Sequence, residues 1–145
     1  MSGQKPDLEI ANLDVFYGDA QALHGVRVTA RGGGIVAIVG ANGAGKSTLI
    51  RSIAGIERSR RGSIRYGGEE IAGFQSHQVC DLGIGQVAEG RQIFPSLSVV
   101  ENLQMGAMLP RARRKERQTL DEVYSLFPRL AERRDQLAGT MSGGE

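Results

Sequence analysis

Hydrophobic and polar residues alternate along the first part of the chain. The alternation runs from Leu8 to Val15 and again from Val26 to Ala30, and it is the period of a strand with one face on a core and the other in solvent. A shorter segment, residues 62–68, has glycines at both ends and predicts a further strand in an antiparallel hairpin. The N-terminal part of the chain therefore predicts antiparallel β structure.

A different pattern occupies residues 35–39. Every position of Ile35–Val39 is apolar and most are β-branched, which is typical of a strand that is covered on both faces in a parallel sheet. Beyond a glycine-rich loop, the apolar spacing from Leu49 to Ala54 predicts a helix, with Gly55 as its C-cap. Strand, loop and helix in this order make half of a βαβ unit.

The next part of the chain predicts short elements. Residues 75–82 predict a short helix and Ile84–Val87 predicts a strand, and after Pro95 the pattern becomes helical. Ser98 and Glu101 have the spacing of a capping box, in which each residue caps a backbone amide of the other.

An amphipathic helix is predicted toward the C-terminus. Its apolar stripe has the spacing i, i+3, i+4, i+7 and consists of Leu120, Val123, Tyr124 and Phe127. This helix ends at Pro128, because proline cannot continue a helix, and Leu130–Ala138 predicts another short helix. We expect one α/β domain, with an α/β core over about residues 1–90 and a helical subdomain over about residues 91–145.

The composition limits the class of protein. A chain of 145 residues with 40% hydrophobic and 23% charged residues has room for one core and is not a disordered tail. The longest apolar run, Ile35–Val39, is far shorter than the roughly 20 residues of a membrane helix, and the first residues carry no secretory signal. The single cysteine, Cys80, excludes an internal disulfide. We expect a cytoplasmic protein, and its net charge of +2 does not by itself predict nucleic-acid binding.

The strongest chemical signal is the loop between the predicted buried strand and the helix. Gly40–Ser47 reads GANGAGKS and matches G-x-x-x-x-G-K-[ST] at every fixed position. From the composition, a chance match somewhere in the chain has a probability of roughly 0.6%. The pattern predicts a loop that binds the phosphates of a nucleotide.

The residue types of this loop suit that chemistry. Gly43 and Gly45 let backbone amides approach a triphosphate, and the helix that follows offers further amide donors and a partial positive charge. Lys46 is expected against the β- and γ-phosphates, the Ser47 hydroxyl on Mg²⁺, and Thr48 at a further phosphate. The predicted nucleotide site consists of Gly40, Ala41, Asn42, Gly43, Ala44, Gly45, Lys46, Ser47 and Thr48.

A second motif lies far downstream of the loop. Residues 141–145 read MSGGE and resemble the Leu-Ser-Gly-Gly-Gln signature of ABC transporter ATPases, with departures at Met141 and Glu145. Residues 84–103 resemble the Q-loop region of the same family. With residues 127–130, they are similar to the branched-chain amino acid importer ATPases of the LivF type.

This resemblance implies a P-loop NTPase core of the ABC ATPase type, with antiparallel β hairpins and an α-helical subdomain. It implies that Tyr17 stacks on adenine, although a strand-end tyrosine packed at a turn explains this residue equally well. Glu89 or Gln86 would take the Q-loop position, and the sequence leaves open which of them positions metal and water. The residues that would contact the ATP of a partner subunit are Ser142, Gly143, Gly144 and Glu145.

The resemblance also implies an importer that uses ATP and Mg²⁺. A second ATP-binding subunit, identical or different, would pair head to tail with this one and enclose ATP between the loop of one and the signature of the other. Transmembrane permease subunits would contact the Glu89 segment, and a solute-binding protein outside the membrane would act indirectly. The implied location is peripheral, on the cytoplasmic face of the membrane. Branched-chain amino acids are the implied solute, with urea or short amides as the alternative.

Three catalytic elements that follow the signature in the family are not found in this sequence. They are a second Mg²⁺ anchor, an acidic residue that positions water, and a switch histidine. Asp121-Glu122 has the letters of such an anchor, but polar residues of an amphipathic helix precede it instead of a buried strand. We therefore expect that the C-terminal half of the core is absent, that the sequence is part of a longer protein, and that these residues alone neither hydrolyse ATP nor unfold cooperatively.

Two other functions stay open at this point. The chain could be a nucleotide-binding protein without turnover, or a soluble ABC ATPase that acts on nucleic acid or ribosomes. The basic run from Arg111 to Arg117 would suit the second function, but Glu116, Asp121 and Glu122 lie nearby, and a solvated helix face is the simpler interpretation. We expect no nucleic acid among the partners.

Overall fold

The computed structural model describes residues 6–90 and 92–144, without the side chains of residues 59 and 60. The chain divides into two compact units, Met1–Gln86 and Val87–Glu145. The first contains a β-sheet with two helices, and the second contains short helices. This division agrees with the α/β core and the helical subdomain that the sequence predicts.

The first unit is built on a four-stranded antiparallel sheet. Its strands are β1 (Leu8–Tyr17), β2 (Ala20–Ala30), β3 (Ser59–Tyr66) and β4 (Glu69–Glu70), in the order β2-β1-β3-β4. The antiparallel strands that the alternation predicts are thus confirmed.

A bulge in β1 adjusts the alternation of its side chains. Ile10 and Leu13 are three residues apart, so a regular strand would point them to opposite faces, yet both are buried in the same core. Between them the register with β2 shifts, and Asn12 has a φ of +50°. On the adjacent strand β3, Gly62 has a φ of +93°, and a Cβ on this residue would clash with the Asn12 carbonyl. The bulge therefore needs glycine opposite it.

Two helices accompany this sheet. The first, α1 (Lys46–Ile53), contributes Leu49 to the core, and the second, α2 (Ser76–Asp81), buries Val79. Helix α1 has Ala54 as its C-cap, and Gly55, with a φ of +69°, follows in the left-handed conformation. Gly55 thus ends the helix as predicted, but the C-cap itself is Ala54, one position before the predicted cap. The buried core of this unit comprises Ile10, Leu13, Val15, Leu23, Leu49, Ile64 and Ile71.

Two predicted strands are wrong. Ile35–Val39 is irregular and exposed, with 99% of Ile35 and 89% of Val39 accessible. Ile84–Val87 is also irregular, and Val87 is fully exposed. A continuous apolar run becomes a buried strand only where neighbouring strands pair with it and layers cover both faces. Within residues 6–90 and 92–144, the sheet consists of β1 to β4 alone, and neither segment is hydrogen-bonded to it.

The second unit begins its helical part with α3 (Val99–Met105). The predicted capping box is confirmed, because the Ser98 hydroxyl accepts from the Glu101 amide at 3.3 Å and the Glu101 carboxylate accepts from the Ser98 amide at 2.7 Å. Both hydrogen bonds that Ser98 donates to Glu101, from its hydroxyl first and from its backbone amide second, lower the pKa of the Glu101 carboxyl below its ordinary value.

Three further helices follow α3. They are α4 (Pro110–Arg113), α5 (Glu116–Leu126) and α6 (Pro128–Glu132), and a 3₁₀ turn spans Ala138–Thr140. The amphipathic stripe of α5 is confirmed in part, since Leu120, Val123 and Tyr124 are half-buried whereas the Phe127 ring is exposed.

The predicted helix over residues 130–138 is wrong beyond Glu132. The carbonyls of Arg134 and Gln136 accept hydrogen bonds from the first amides of α3, Val100 and Val99, at 2.9 and 3.0 Å. These carbonyls are therefore used by another element, and Leu137 forms an isolated antiparallel bridge with Ser98. A tertiary interaction overrides the local helical pattern. No helix in the described part of the chain is long and apolar enough to cross a membrane.

Candidate functional site

The glycine-rich loop leads directly into α1. Gly43 and Gly45 have φ values of +83° and +85°, in the left-handed region that favours glycine. Residues 41–44 form a tight turn, in which the Ala44 amide donates to the Ala41 carbonyl at 3.2 Å. Gly45 is the N-cap of α1, and its carbonyl accepts the Leu49 amide at 2.9 Å. The two glycines therefore set the conformation that turns the loop into the helix.

Packing against β2 fixes the position of Gly45. A Cβ on Gly45 would lie 2.6 Å from Leu23 Cδ2 and 2.9 Å from the Ala22 carbonyl oxygen. A Cβ on Gly43 would meet nothing within 4 Å. Gly45 therefore anchors the loop to the sheet, whereas Gly43 faces open space where a ligand has room to approach.

Lys46 is folded over the loop that precedes it. Its ammonium donates to the carbonyl oxygens of Gly40 and Ala41 at 2.8 and 2.7 Å. Among the described residues no carboxylate forms an ion pair with this ammonium. Its charge is therefore held beside the loop and available to an anion.

The N-terminus of α1 adds to the positive potential. In the described chain no side chain caps it, and no acidic residue lies in its first turn. The first amides of a helix have no partner within the helix, and its N-terminus carries about half a positive charge. Ser47 is exposed in this first turn, whereas Thr48 is buried.

Tyr17 lies at the end of β1 beside this helix. Its hydroxyl donates to Thr48 Oγ1 at 3.4 Å, while 45% of the residue remains exposed. The contact agrees with a tyrosine that packs at a strand end, and the exposed ring also leaves a surface on which a base could stack. Sequence reasoning missed both this contact and the role of Leu23, which lies outside the predicted alternation of Val26–Ala30 and out of phase with it.

The remaining predicted residues lie outside this loop. Gln86 and Glu89 are both exposed in irregular backbone, and the choice between them for the Q-loop position stays open. Residues 141–144 form a bend and a turn after the 3₁₀ turn, with Ser142, Gly143 and Gly144 exposed, and Glu145 lies outside the described residues. Arg91, in the Glu-Gly-Arg segment, also lies outside them.

Comparisons with known proteins agree with this geometry. A family model described as ABC transporter matches residues 23–145. The branched-chain amino acid transport ATP-binding protein BraG of Pseudomonas aeruginosa is 47% identical over 95% of the chain and 59% of its own length. The probable branched-chain amino acid transport ATP-binding protein LivF of Archaeoglobus fulgidus is 34% identical over 95% of the chain and 58% of its own length.

A solved structure shares the fold. It is a nucleotide-free ATP-binding cassette from an ABC transporter, with a TM-score of 0.78 and 26% identity. The alignment covers 96% of the chain and 60% of that structure. The chain thus spans about three fifths of the length of each of these three proteins.

Proposed function

Because the chain belongs to the ABC transporter family, we propose that its glycine-rich loop binds Mg·ATP as part of an importer's ATP-binding subunit. The observation that carries this proposal is the conformation of Gly43-Ala44-Gly45-Lys46: two left-handed glycines open α1, and an ammonium without a carboxylate partner in the described residues lies over the loop. Backbone amides, a helix N-terminus and a cation then converge on one small volume, as polyphosphate binding requires.

Each residue has a distinct role in this proposal. The Lys46 ammonium exchanges its carbonyl partners for phosphate oxygens, and the Thr48 amide donates to a phosphate. The Ser47 hydroxyl supplies a ligand to Mg²⁺, whose other ligands are phosphate oxygens and water, since magnesium prefers oxygen and keeps several waters. No cluster of three His, Cys, Asp or Glu residues occurs in the part of the chain that the structure describes. Tyr17 offers its exposed ring to the adenine.

The proposed assembly places the signature residues on a second nucleotide. In a head-to-tail pair of ATP-binding subunits, Ser142, Gly143, Gly144 and Glu145 contact the ATP that is held by the partner's loop. The Glu89 segment, or Gln86, relays nucleotide state to transmembrane permease subunits, and the subunit is peripheral on the cytoplasmic side of the membrane.

ATP hydrolysis, coupled to transport in the whole protein, requires carboxylates that we do not find beside the loop in the described residues, so we propose that residues 1–145 bind ATP without hydrolysing it.

Branched-chain amino acids are the solute that we propose. The support is the names of two relatives, BraG and LivF, which match nearly the whole chain. The test is leucine uptake in cells that lack the gene, with and without the gene restored. Unchanged uptake on deletion, with loss of uptake of another solute, would replace this solute assignment and leave the nucleotide site intact.

Removal of the Lys46 ammonium tests the nucleotide site. Mg·ATP at a hundredfold excess over its Kd should stabilise the wild-type protein by about 2.7 kcal/mol, and Lys46→Ala should abolish most of this stabilisation because the phosphates lose their cation. The measurement is the thermal transition, with and without Mg·ATP, of the protein expressed from its whole coding sequence. Lys115→Ala, which removes an exposed ammonium from the other unit, is the matched control and should retain the full shift. Equal shifts in the two variants would contradict the proposed site.

A further inference from the structure

A turn between α4 and α5 carries a concentrated positive charge. Arg113 ends α4, Arg114 and Lys115 form the turn, and Arg117 lies in the first turn of α5. We name these four residues the basic turn. All four are exposed, and none forms an ion pair or side-chain hydrogen bond with another described residue. Their charges therefore face solvent without a fixed counter-ion from the chain.

Three of the four carboxylates near the basic turn are held by other residues. Glu116 and Glu122 accept hydrogen bonds from glutamine amides at 3.1 and 3.0 Å, and Asp135 pairs with its neighbour Arg134 at 3.2 Å. Asp121 is the remaining carboxylate of this surface. With Arg134 included, cations still outnumber carboxylates, and the excess is concentrated in the basic turn.

An open cleft of about 1180 Å³ adjoins the basic turn. Its wall combines the four cations with the apolar side chains of Val100 and Leu120 and the ring of Tyr124. The Tyr124 hydroxyl is buried and has no hydrogen-bond partner among the described residues. The surface is therefore amphipathic, with cations beside apolar side chains.

We propose that the basic turn docks on the anionic phospholipid headgroups of the membrane. This inference rests on the proposed function, which brings the chain to the membrane surface as a peripheral subunit. Clustered cations are attracted to the negative potential of an anionic leaflet, and this attraction acts within about one Debye length of the surface. Three of the four cations are arginines, and a planar guanidinium binds two phosphate oxygens at once.

Nucleic acid fits this surface less well. Sequence-independent binding to a single strand uses a positively charged groove along the backbone together with aromatic side chains on which bases stack. Here the positive charge occupies one turn, the chain has no tryptophan, and aromatic residues make up only 5% of it. The Tyr124 ring is half-buried and does not provide an exposed platform.

Sedimentation with vesicles tests the inference on the protein expressed from its whole coding sequence. Vesicles of phosphatidylcholine with about one third phosphatidylglycerol should bind the protein, and vesicles of phosphatidylcholine alone should not. Binding should weaken with added salt, because the Debye length falls from about 10 Å at 0.1 M to about 3 Å at 1 M.

Three double variants isolate the contribution of the basic turn. Arg114→Gln with Lys115→Gln should lower the vesicle affinity about 25-fold, equivalent to ~2 kcal/mol for two charges. Arg31→Gln with Arg61→Gln removes the same charge from exposed positions of the other unit and should bind as the wild type does. Arg114→Lys with Lys115→Arg keeps the charge and should also bind, which separates loss of charge from loss of fold.

Three results would overturn the inference. The first is an equal loss of affinity in the two charge-removing variants, which would indicate a general effect of net charge. The second is equal binding to neutral and anionic vesicles. The third is binding to single-stranded RNA that is tighter than vesicle binding and is lost in the Arg114/Lys115 variant. Vesicle binding without stabilisation by Mg·ATP would instead count against the proposed nucleotide site.

Discussion

Substitution of Gly45 by alanine should destabilise the first unit through two separate effects. The first is conformational, because the φ of +85° at Gly45 is one that L-residues with a Cβ rarely adopt. This effect costs about 1–2 kcal/mol for one residue in the left-handed region. The second is steric, because the new Cβ would lie 2.6 Å from Leu23 Cδ2 and 2.9 Å from the Ala22 carbonyl oxygen.

The steric effect has its own magnitude. Leu23 is buried in the core with 4% of its surface accessible, so its side chain can move only by displacing its neighbours. Forcing an additional methyl group into a packed core costs about 1–3 kcal/mol. We expect a loss of about 2–5 kcal/mol for Gly45→Ala, a large part of the 5–15 kcal/mol by which native proteins are stable.

Gly43→Ala is the matched control for the conformational effect. Gly43 has nearly the same φ, +83°, but its Cβ would meet nothing within 4 Å. This variant should lose only about 1–2 kcal/mol of stability. Its new methyl group would lie on the open side of the loop, so it should weaken Mg·ATP binding more than its modest loss of stability suggests.

Urea unfolding of the protein expressed from its whole coding sequence, followed by circular dichroism, measures both variants. An unchanged dependence on urea concentration would show that the midpoints report stability alone. If Gly45→Ala and Gly43→Ala lose the same free energy of unfolding, the contact between Gly45 and Leu23 does not anchor the loop. The reasoning about that contact would then be refuted, while the conformational argument for both glycines would stand.

Two further predictions concern Tyr17 and the cap of α3. If the Tyr17 ring stacks on adenine, Tyr17→Phe should keep the Kd for Mg·ATP, whereas Tyr17→Ala should weaken the binding free energy by the roughly 1–3 kcal/mol of one stacked base. Titration with Mg·ATP measures both variants. Equal losses in the two variants would assign the effect to the hydroxyl contact with Thr48 instead. Hydrogen bonds from Ser98 lower the pKa of Glu101, so the contribution of this carboxylate to stability is present above the ordinary pKa of a glutamate and is lost as pH falls through the lowered pKa. As the pH is lowered through this range, the free energy of unfolding measured with urea should fall less in Glu101→Gln than in the wild type. At neutral pH, Ser98→Ala should lower the free energy of unfolding by about 1 kcal/mol because the helix loses its N-cap.

The sequence predicts well those features that depend on neighbouring residues. The capping box of Ser98 and Glu101 needs only a spacing of three residues, and the conformation of the loop before Lys46 follows from the positions of its glycines. The alternation from Leu8 to Val15 identifies β1, although the bulge at Asn12 is not visible in the alternation. Local chemistry decides these features, so a single sequence is sufficient to predict them.

Features that depend on distant partners were not predictable in this way. Ile35–Val39 has the pattern of a buried strand, but a strand needs neighbours to pair with and layers to cover it, and the pattern carries no information about either. The helical pattern after Glu132 fails for a related reason. The Arg134 and Gln136 carbonyls serve as acceptors for the first amides of α3, a partnership set by tertiary structure.

The candidate site joins both kinds of information. Its glycines and Lys46 are readable from the motif, but the position of the loop is fixed by Leu23 and Ala22 of β2, which no motif includes. The loop is thus held at its C-terminal end by the sheet and by α1, whereas at its N-terminal end the exposed segment 35–39 has no described strand beside it. The bonds from the Lys46 ammonium to the Gly40 and Ala41 carbonyls connect that free end to the anchored end. Lys46 therefore organises the loop without a ligand, and under the proposed function a phosphate that displaced these bonds would supply the same connection through its own oxygens.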